Sequence, residues 1–190
     1  MGRSQKISSM LEQQASHQGV SVCQRISGGG AVLASPNLVS LTTIIPINHP
    51  LGQVDLVNCF RAAGSAWQRA LFELNVESQV CSLVEKPKKA LSWVCFAGAS
   101  HGEIFTPGGK KLIGLAQVRK RHAVAVMSGF YLEPINWSLL FSVHNGTVRD
   151  REIAQIQLRT TSLSEAGARF GVTGINALFS RYAHYLEEFH

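Results

Sequence analysis

The sequence predicts an α+β fold, a mostly antiparallel β-sheet flanked by helices, in a single domain spanning residues 1–190. Three observations predict it. Apolar and β-branched runs of strand length recur at 38–47, 102–106, 111–118 and 122–132. The Pro107-Gly108-Gly109 turn joins two of these runs as a hairpin, and a hairpin makes its strands antiparallel. Helical stripes, apolar every three or four residues, occupy 56–74 and 175–189. Helices beside a hairpin-built sheet belong to the α+β class.

The elements follow in order. Ile7, Met10, Leu11 and Ala15 stand at helical spacing among polar residues, a short amphipathic helix within 5–17. Val20 to Arg25 and Gly30 to Ala34 read as two strands joined by a glycine turn. Leu38 to Ile47 is a strand ended by Pro46 and Asn48-His49-Pro50. Asp55 caps a long helix whose apolar stripe is Leu56, Phe60, Ala63, Trp67, Leu71 and Leu74. Strands are expected at 79–84 and 91–97 before the hairpin, and a helix at Trp137 to Val143. The last forty residues read as helical. Ser162-Leu163-Ser164-Glu165 is a capping box, in which hydroxyl and carboxylate each satisfy a free backbone N–H. Gly171 would end that helix and Thr173 begin the last one, with Ile175, Leu178, Phe179, Tyr182, Leu186 and Phe189 on one face.

At 190 residues, 45% hydrophobic and 16% charged, the chain is an ordinary globular one. A chain of this length buries about 70% of its unfolded surface. No apolar run approaches the ~18 residues of a membrane span, and the N-terminus lacks the apolar core of a signal peptide. The expectation is a cytoplasmic protein with no membrane partner. The four cysteines, Cys23, Cys59, Cys81 and Cys95, have no zinc spacing, and the seven histidines form no His-Glu-x-x-His motif, so no metal site is expected. The net charge of +6 fits a nucleic-acid surface, a docking face for an acidic protein, or a solvated exterior. The basic clusters Lys86-Pro87-Lys88-Lys89 and Arg119-Lys120-Arg121 have no aromatics between them, which speaks against base stacking.

Two segments carry candidate chemistry. In Arg25-Ile26-Ser27-Gly28-Gly29-Gly30-Ala31-Val32, consecutive glycines let the backbone approach a ligand and present its N–H groups. In Gly109-Lys110-Lys111-Leu112-Ile113-Gly114-Leu115-Ala116-Gln117, a lysine opens a strand of small residues. Neither is a Rossmann or P-loop pattern. Between them stands Trp93-Val94-Cys95-Phe96, which places a thiol near both. Taken singly, each has a plain structural reading: a hairpin turn, a surface lysine, a core cysteine, and Glu103 as an ordinary ion-pair partner.

Jointly they resemble the lipoate–protein ligase A and octanoyltransferase family, which shares the biotin/lipoate protein ligase catalytic fold. Arg25 and Gly28 to Gly30 match its arginine–glycine segment, with Gln24 in place of a first arginine. Lys111-Leu112-Ile113-Gly114-Leu115-Ala116 matches its Lys-Ile-x-Gly-Ser-Ala segment, with Leu115 in place of serine. Cys95-Phe96, Glu103 and Lys111 follow the arrangement of the cysteine-dependent octanoyltransferases. Gly2-Arg3-Ser4-Gln5 is similar to a Gly-Arg-x-Gln segment that family members carry after an N-terminal helix and strands, so this sequence reads as truncated relative to the family. Ala34 replaces a histidine of the family pattern, and Val126-Met127-Ser128-Gly129 replaces Gln-His-Gly-Ser.

The resemblance implies an acyltransferase that attaches an octanoyl or lipoyl group to a lysine of a lipoyl domain through a Cys95 thioester. Lys111 would stabilise the thiolate, since a free thiol has a pKa near ~8.5. It implies Arg25, Ser27, Gly28, Gly29, Gly30, Gly114 and Ala116 as substrate-binding residues. The acceptors implied are lipoyl domains of 2-oxoacid dehydrogenase E2 subunits or the glycine cleavage H protein, with acyl carrier protein as a candidate donor carrier. No permanently bound cofactor is implied. Two alternatives stand beside this reading. One is an ATP-dependent lipoate ligase in which Lys111 and the glycine turn hold lipoyl-AMP. The other is a non-catalytic subunit that binds a lipoyl domain or complements a second chain.

Overall fold

Three nine-residue strands carry the sheet because their sequences alternate or run apolar without a charged interruption. They are β1 (Leu38–Pro46), β4 (Lys111–Arg119) and β5 (Ala123–Tyr131), joined by the two-residue strands β2 (Gln79–Val80) and β3 (Ile104–Phe105). The computed structural model describes residues 1–189 and orders them β1-β5-β4-β3-β2, every neighbouring pair antiparallel. The helices are α1 (Ser9–His17), α2 (Pro50–Gln53), α3 (Leu56–Phe72), α4 (Trp137–Asn145), α5 (Asp150–Gln157) and α6 (Val172–Glu187). Asp55 caps α3 as expected, its carboxylate accepting from the Asn58 N–H at 2.9 Å. Gly109, at φ +77°, turns the β3–β4 hairpin. Among the described residues no helix is long and apolar enough to cross a membrane.

One face of the sheet packs on α3 and α6. Trp67 of α3 is fully buried, stacks on Tyr182 of α6 with ring centroids 4.2 Å apart, and meets Phe130 of β5 edge-on. Its indole N–H donates to Ser128 Oγ at 2.8 Å. Ser128→Ala is therefore expected to destabilise the fold by about 1–3 kcal/mol, because it strands a buried donor. Urea unfolding measures this, and an unchanged midpoint would remove the bond from the account. The opposite face is covered at one end by the segments around Leu33 and residues 91–97, which pack with Tyr131, Phe141 and Ile156 as a second apolar cluster.

Three local expectations differ from the fold. Residues 91–97 form single 3-10 turns at Lys89–Leu91 and Cys95–Ala97, not a strand. The buried positions Leu91, Val94 and Ala97 recur every third residue, the period of a 3-10 turn. Residues 20–25 and 30–34 make no regular strands. Their backbone bonds go to irregular neighbours, Arg25 N–H to the Met1 carbonyl and Ala31 N–H to the Trp93 carbonyl. The capping-box bonds form at Ser162 and Glu165, but only as a turn. Leu163 and Ser164 donate to the carbonyls of Tyr131 and Leu132, and Gly167 at φ +87° closes the turn. Gly171 caps the start of α6 instead of ending a helix.

Candidate active site

β4 begins where the chain needs a fixed anchor. The Lys111 N–H donates to the Arg159 carbonyl at 2.7 Å, and the Thr161 N–H donates to the Lys111 carbonyl at 3.0 Å. This clamps the strand start and turns the Lys111 side chain inward, where it is 1% exposed. There the ammonium pairs with Glu103 at 2.7 Å and donates to the Cys95 carbonyl at 3.4 Å. Glu103 is buried too, and its carboxylate also accepts from the N–H groups of Ser100 (2.8 Å) and Leu115 (3.4 Å). A buried ion pair is tolerable only with such additional donors.

The glycine turn lies directly over the thiol. Arg25 donates from Nη1 to Ser27 Oγ at 2.7 Å, and from Nη2 to the Gly30 carbonyl at 3.1 Å and Cys95 Sγ at 3.6 Å. Gly29, at φ +97°, leaves room for this guanidinium: a Cβ there would stand 2.6 Å from Arg25 Nη2. A Cβ on Gly30 would meet the Trp93 carbonyl oxygen at 2.5 Å and the Cys95 nitrogen at 2.6 Å. The close approach lets Cys95 N–H donate to the Ala31 carbonyl at 3.0 Å. Gly30→Ala must push the loop off the thiol. Under the thioester chemistry that the resemblance implies, it is expected to cut acylation of Cys95 roughly a hundredfold, the scale of an ångström misplacement, while circular dichroism still reports a folded chain. An unchanged acylation rate would show that the loop's approach is immaterial.

Burial raises the Tyr131 phenol well above its usual pKa, so it stays protonated and donates to the Leu33 carbonyl at 2.8 Å. Phe96 packs edge-on against it. The Tyr131 bond ties down the backbone at Leu33, and its ring packs on Phe96 next to the thiol.

Cys95 borders two cavities. One, of about 290 Å³, is mainly apolar and is lined by Arg25, Ser27, Gly114, Leu38, Thr42 and Met127 among others. Its floor is two rows across the sheet, Ser40–Gly129–Gly114 and Thr42–Met127–Ala116, in which every side chain but that of Met127 is small. The other, of about 580 Å³, is lined by Gly28, Gly29, Gly30, Glu103, Lys111 and Gln117, with Lys86 and Glu85 at its edge. Cys95, Leu115 and Ala116 line both. All nine residues singled out in the sequence thus fall in one connected region. Sequence reasoning missed the floor residues Ser40 and Thr42, for which their polar alternation in β1 is the available signal, and named Met127 and Gly129 only as departures from the family's Gln-His-Gly-Ser segment. It also missed the contact of Arg25 with the sulfur. Among the described residues no group of three or more His, Cys, Asp or Glu side chains is placed to hold a metal ion.

Comparison with known proteins identifies the family and the fold. The model of the lipoyl protein ligase A/B catalytic domain matches residues 1–180. Octanoyltransferase LipM of Exiguobacterium sp. (strain ATCC BAA-1283 / AT1b) is 32% identical over 130 residues, which are 65% of this chain and 46% of that protein. A bi-partite lipoate protein ligase from Thermoplasma acidophilum, studied with its E2 lipoyl domain, has a TM-score of 0.72 at 16% identity, covering 98% of this chain and 66% of its own. Lipoate-protein ligase A bound with ATP has a TM-score of 0.67 at 15% identity, covering 92% of this chain and 62% of its own. The chain thus spans less than half of that transferase and less than two thirds of each ligase chain. The two structural likenesses establish the fold; with a family model matched over nearly its whole length, the chain belongs to the lipoyl protein ligase A/B catalytic-domain family.

Proposed function

We propose that the chain moves an octanoyl group onto a lysine of a lipoyl domain through a thioester on Cys95, acting in the cytoplasm. The observation that carries this reading is the position of Cys95 between a mainly apolar cavity and a larger one that holds the charged Glu103 and Lys111. The acyl chain occupies the apolar cavity, where each buried methylene contributes about 0.8 kcal/mol. The reacting groups meet in the larger one, beside Lys111 and the glycine turn. The Cys95 thiolate attacks the carbonyl carbon of an octanoyl thioester. The resulting oxyanion collapses, expels the carrier's thiolate and leaves octanoyl-Cys95. The acceptor lysine amine then attacks that thioester, loses its proton, forms the amide and returns the Cys95 thiolate. Lys111, held by Glu103 against the Cys95 backbone, and the N–H groups of the glycine turn are the donors for the developing oxyanion.

Acyl carrier protein is the candidate donor. Lipoyl domains of E2 subunits or the H protein are the acceptors, a pairing supported by the Thermoplasma ligase's study with an E2 lipoyl domain. No resident cofactor takes part. Incubation with octanoyl carrier protein, followed by intact-mass measurement, is expected to add one octanoyl group at Cys95. Transfer that needs ATP and leaves no adduct would replace this reading with the ligase one. One observation favours that second reading: the three glycines and Lys111 line the same 580 Å³ cavity, an arrangement suited to an acyl-adenylate. No turnover by either route, even alongside the segment that longer relatives carry, would leave a binding or complementing subunit as the remaining account.

A further inference from the structure

The apolar cavity has glycines in its floor that the backbone does not require. Gly114 and Gly129 are register partners on β4 and β5, and neither has a positive φ. A Cβ on Gly129 would stand 3.8 Å from Leu38 Cδ1, and one on Gly114 would stand 3.5 Å from the Phe96 ring, both ordinary van der Waals contacts. Alanine would thus fit at either position, and glycine in a strand interior weakens the strand. What the two glycines supply is a gap, roofed by Phe96 and bordered by Cys95. One row further along the sheet, about 7 Å away, the gap meets an obstacle. There Met127 stands on β5 between Thr42 and Ala116, the one long side chain in the two floor rows. Beyond it the row Ile44–Ala125–Val118 continues the same sheet face. That row is apolar throughout and does not line the cavity, and Ile44 is 62% exposed.

We propose that Met127 sets the length of the acyl chain this protein accepts, by closing the slot that Gly114 and Gly129 open beside Cys95. The inference rests on the reading that places the acyl chain in the apolar cavity. A chain anchored at Cys95 buries its methylenes over the two glycines and then meets the Met127 side chain. Further methylenes must turn out of the cavity into water, where they contribute nothing to the apolar burial that holds the chain. Shortening Met127 would join the slot to the apolar row behind it.

S-alkyl methanethiosulfonates of increasing length test this without any carrier or acyl transfer. The Cys95 thiolate attacks the sulfenyl sulfur, an S–S bond to the alkylthio group forms, and methanesulfinate leaves. Rates are read from the Cys95 peptide by mass spectrometry, since the exposed Cys23 also reacts. Each is divided by the rate of the methyl reagent, which cancels the reactivity of the thiol itself. In the parent the octyl reagent is expected to outrun the methyl one by about tenfold or more, through the methylenes it buries, and the decyl reagent to gain nothing further. Met127→Ala clears room for about two more methylenes, so its decyl-to-octyl ratio should rise about tenfold. Gly129→Ala fills the slot and should cut the octyl preference about tenfold. Urea unfolding should show that variant to be as stable as the parent or more so, which a glycine required by the backbone would not allow. It provides the test should Met127→Ala fail to fold. An unchanged decyl-to-octyl ratio in Met127→Ala overturns the proposal, as does an unchanged octyl preference in Gly129→Ala. So does a decyl reagent that outruns the octyl one in the parent. Absence of an octanoyl adduct from a carrier would overturn the thioester step alone and leave these ratios standing.

Discussion

Cys95→Ala is expected to abolish the octanoyl adduct and to reduce transfer to a lipoyl domain by at least about a thousandfold, since removing a covalent nucleophile removes the route and not merely a contact. The side chain is half-buried, between Val94 and Phe96, both buried. Alanine keeps the Cβ and the backbone bonds to Ala31 and Lys111, so the fold should survive the change. Loss of activity with an intact unfolding transition would therefore report on chemistry. Cys95→Ser sharpens the test. A hydroxyl fits the same space but ionises far less readily than a thiol, so it too should give little adduct. Retention of full, ATP-dependent transfer in Cys95→Ala would transfer the chemistry to an adenylate and make the thiol a bystander.

The second large effect concerns the pair beneath it. Glu103→Leu is expected to destabilise the protein by about 3–5 kcal/mol, because it leaves the Lys111 ammonium buried and unpaired. The same change removes the acceptor for the Ser100 and Leu115 N–H groups. Lys111→Met should cost less, since the Glu103 carboxylate keeps both of those donors. Combining the two changes should recover part of the loss, with the stranded N–H groups setting the remainder. Urea unfolding of the three variants measures the order. Glu103→Leu within about 1 kcal/mol of the parent would mean the pair contributes far less than a buried bridge normally does.

The main frame of the fold is legible in the sequence where one residue period dominates. α3 and α6 follow from stripes such as Ala63–Trp67–Leu71 and Leu178–Tyr182–Leu186, whose members are buried. β1, β4 and β5 follow from long uncharged runs bounded by turns. Residues 91–97 are less legible because Leu91, Val94, Phe96 and Ala97 satisfy both a buried strand and a 3-10 turn, and only their neighbours decide. Val20 to Ala34 has strand-like composition, but a strand exists only with a ladder partner, and here its bonds go to the irregular N-terminal segment and Trp93. At the site, the spacing of Cys95, Glu103 and Lys111 anticipates their meeting. It does not reveal which cation meets the sulfur. That depends on how far Arg25 reaches across a loop whose shape is set by Gly29 and Gly30, a three-dimensional matter that order along the chain does not encode.

The shared wall between the two cavities also has a kinetic consequence. If the acyl chain stays moored in the apolar cavity while carriers exchange in the larger one, the first carrier must depart before the second can occupy the same mouth. Donor and acceptor would then never be resident together. Steady-state rates should give parallel double-reciprocal lines, and an excess of the acceptor should inhibit by occupying the unloaded enzyme. The order of events would be imposed by a wall of three residues, Cys95, Leu115 and Ala116, with no moving part required.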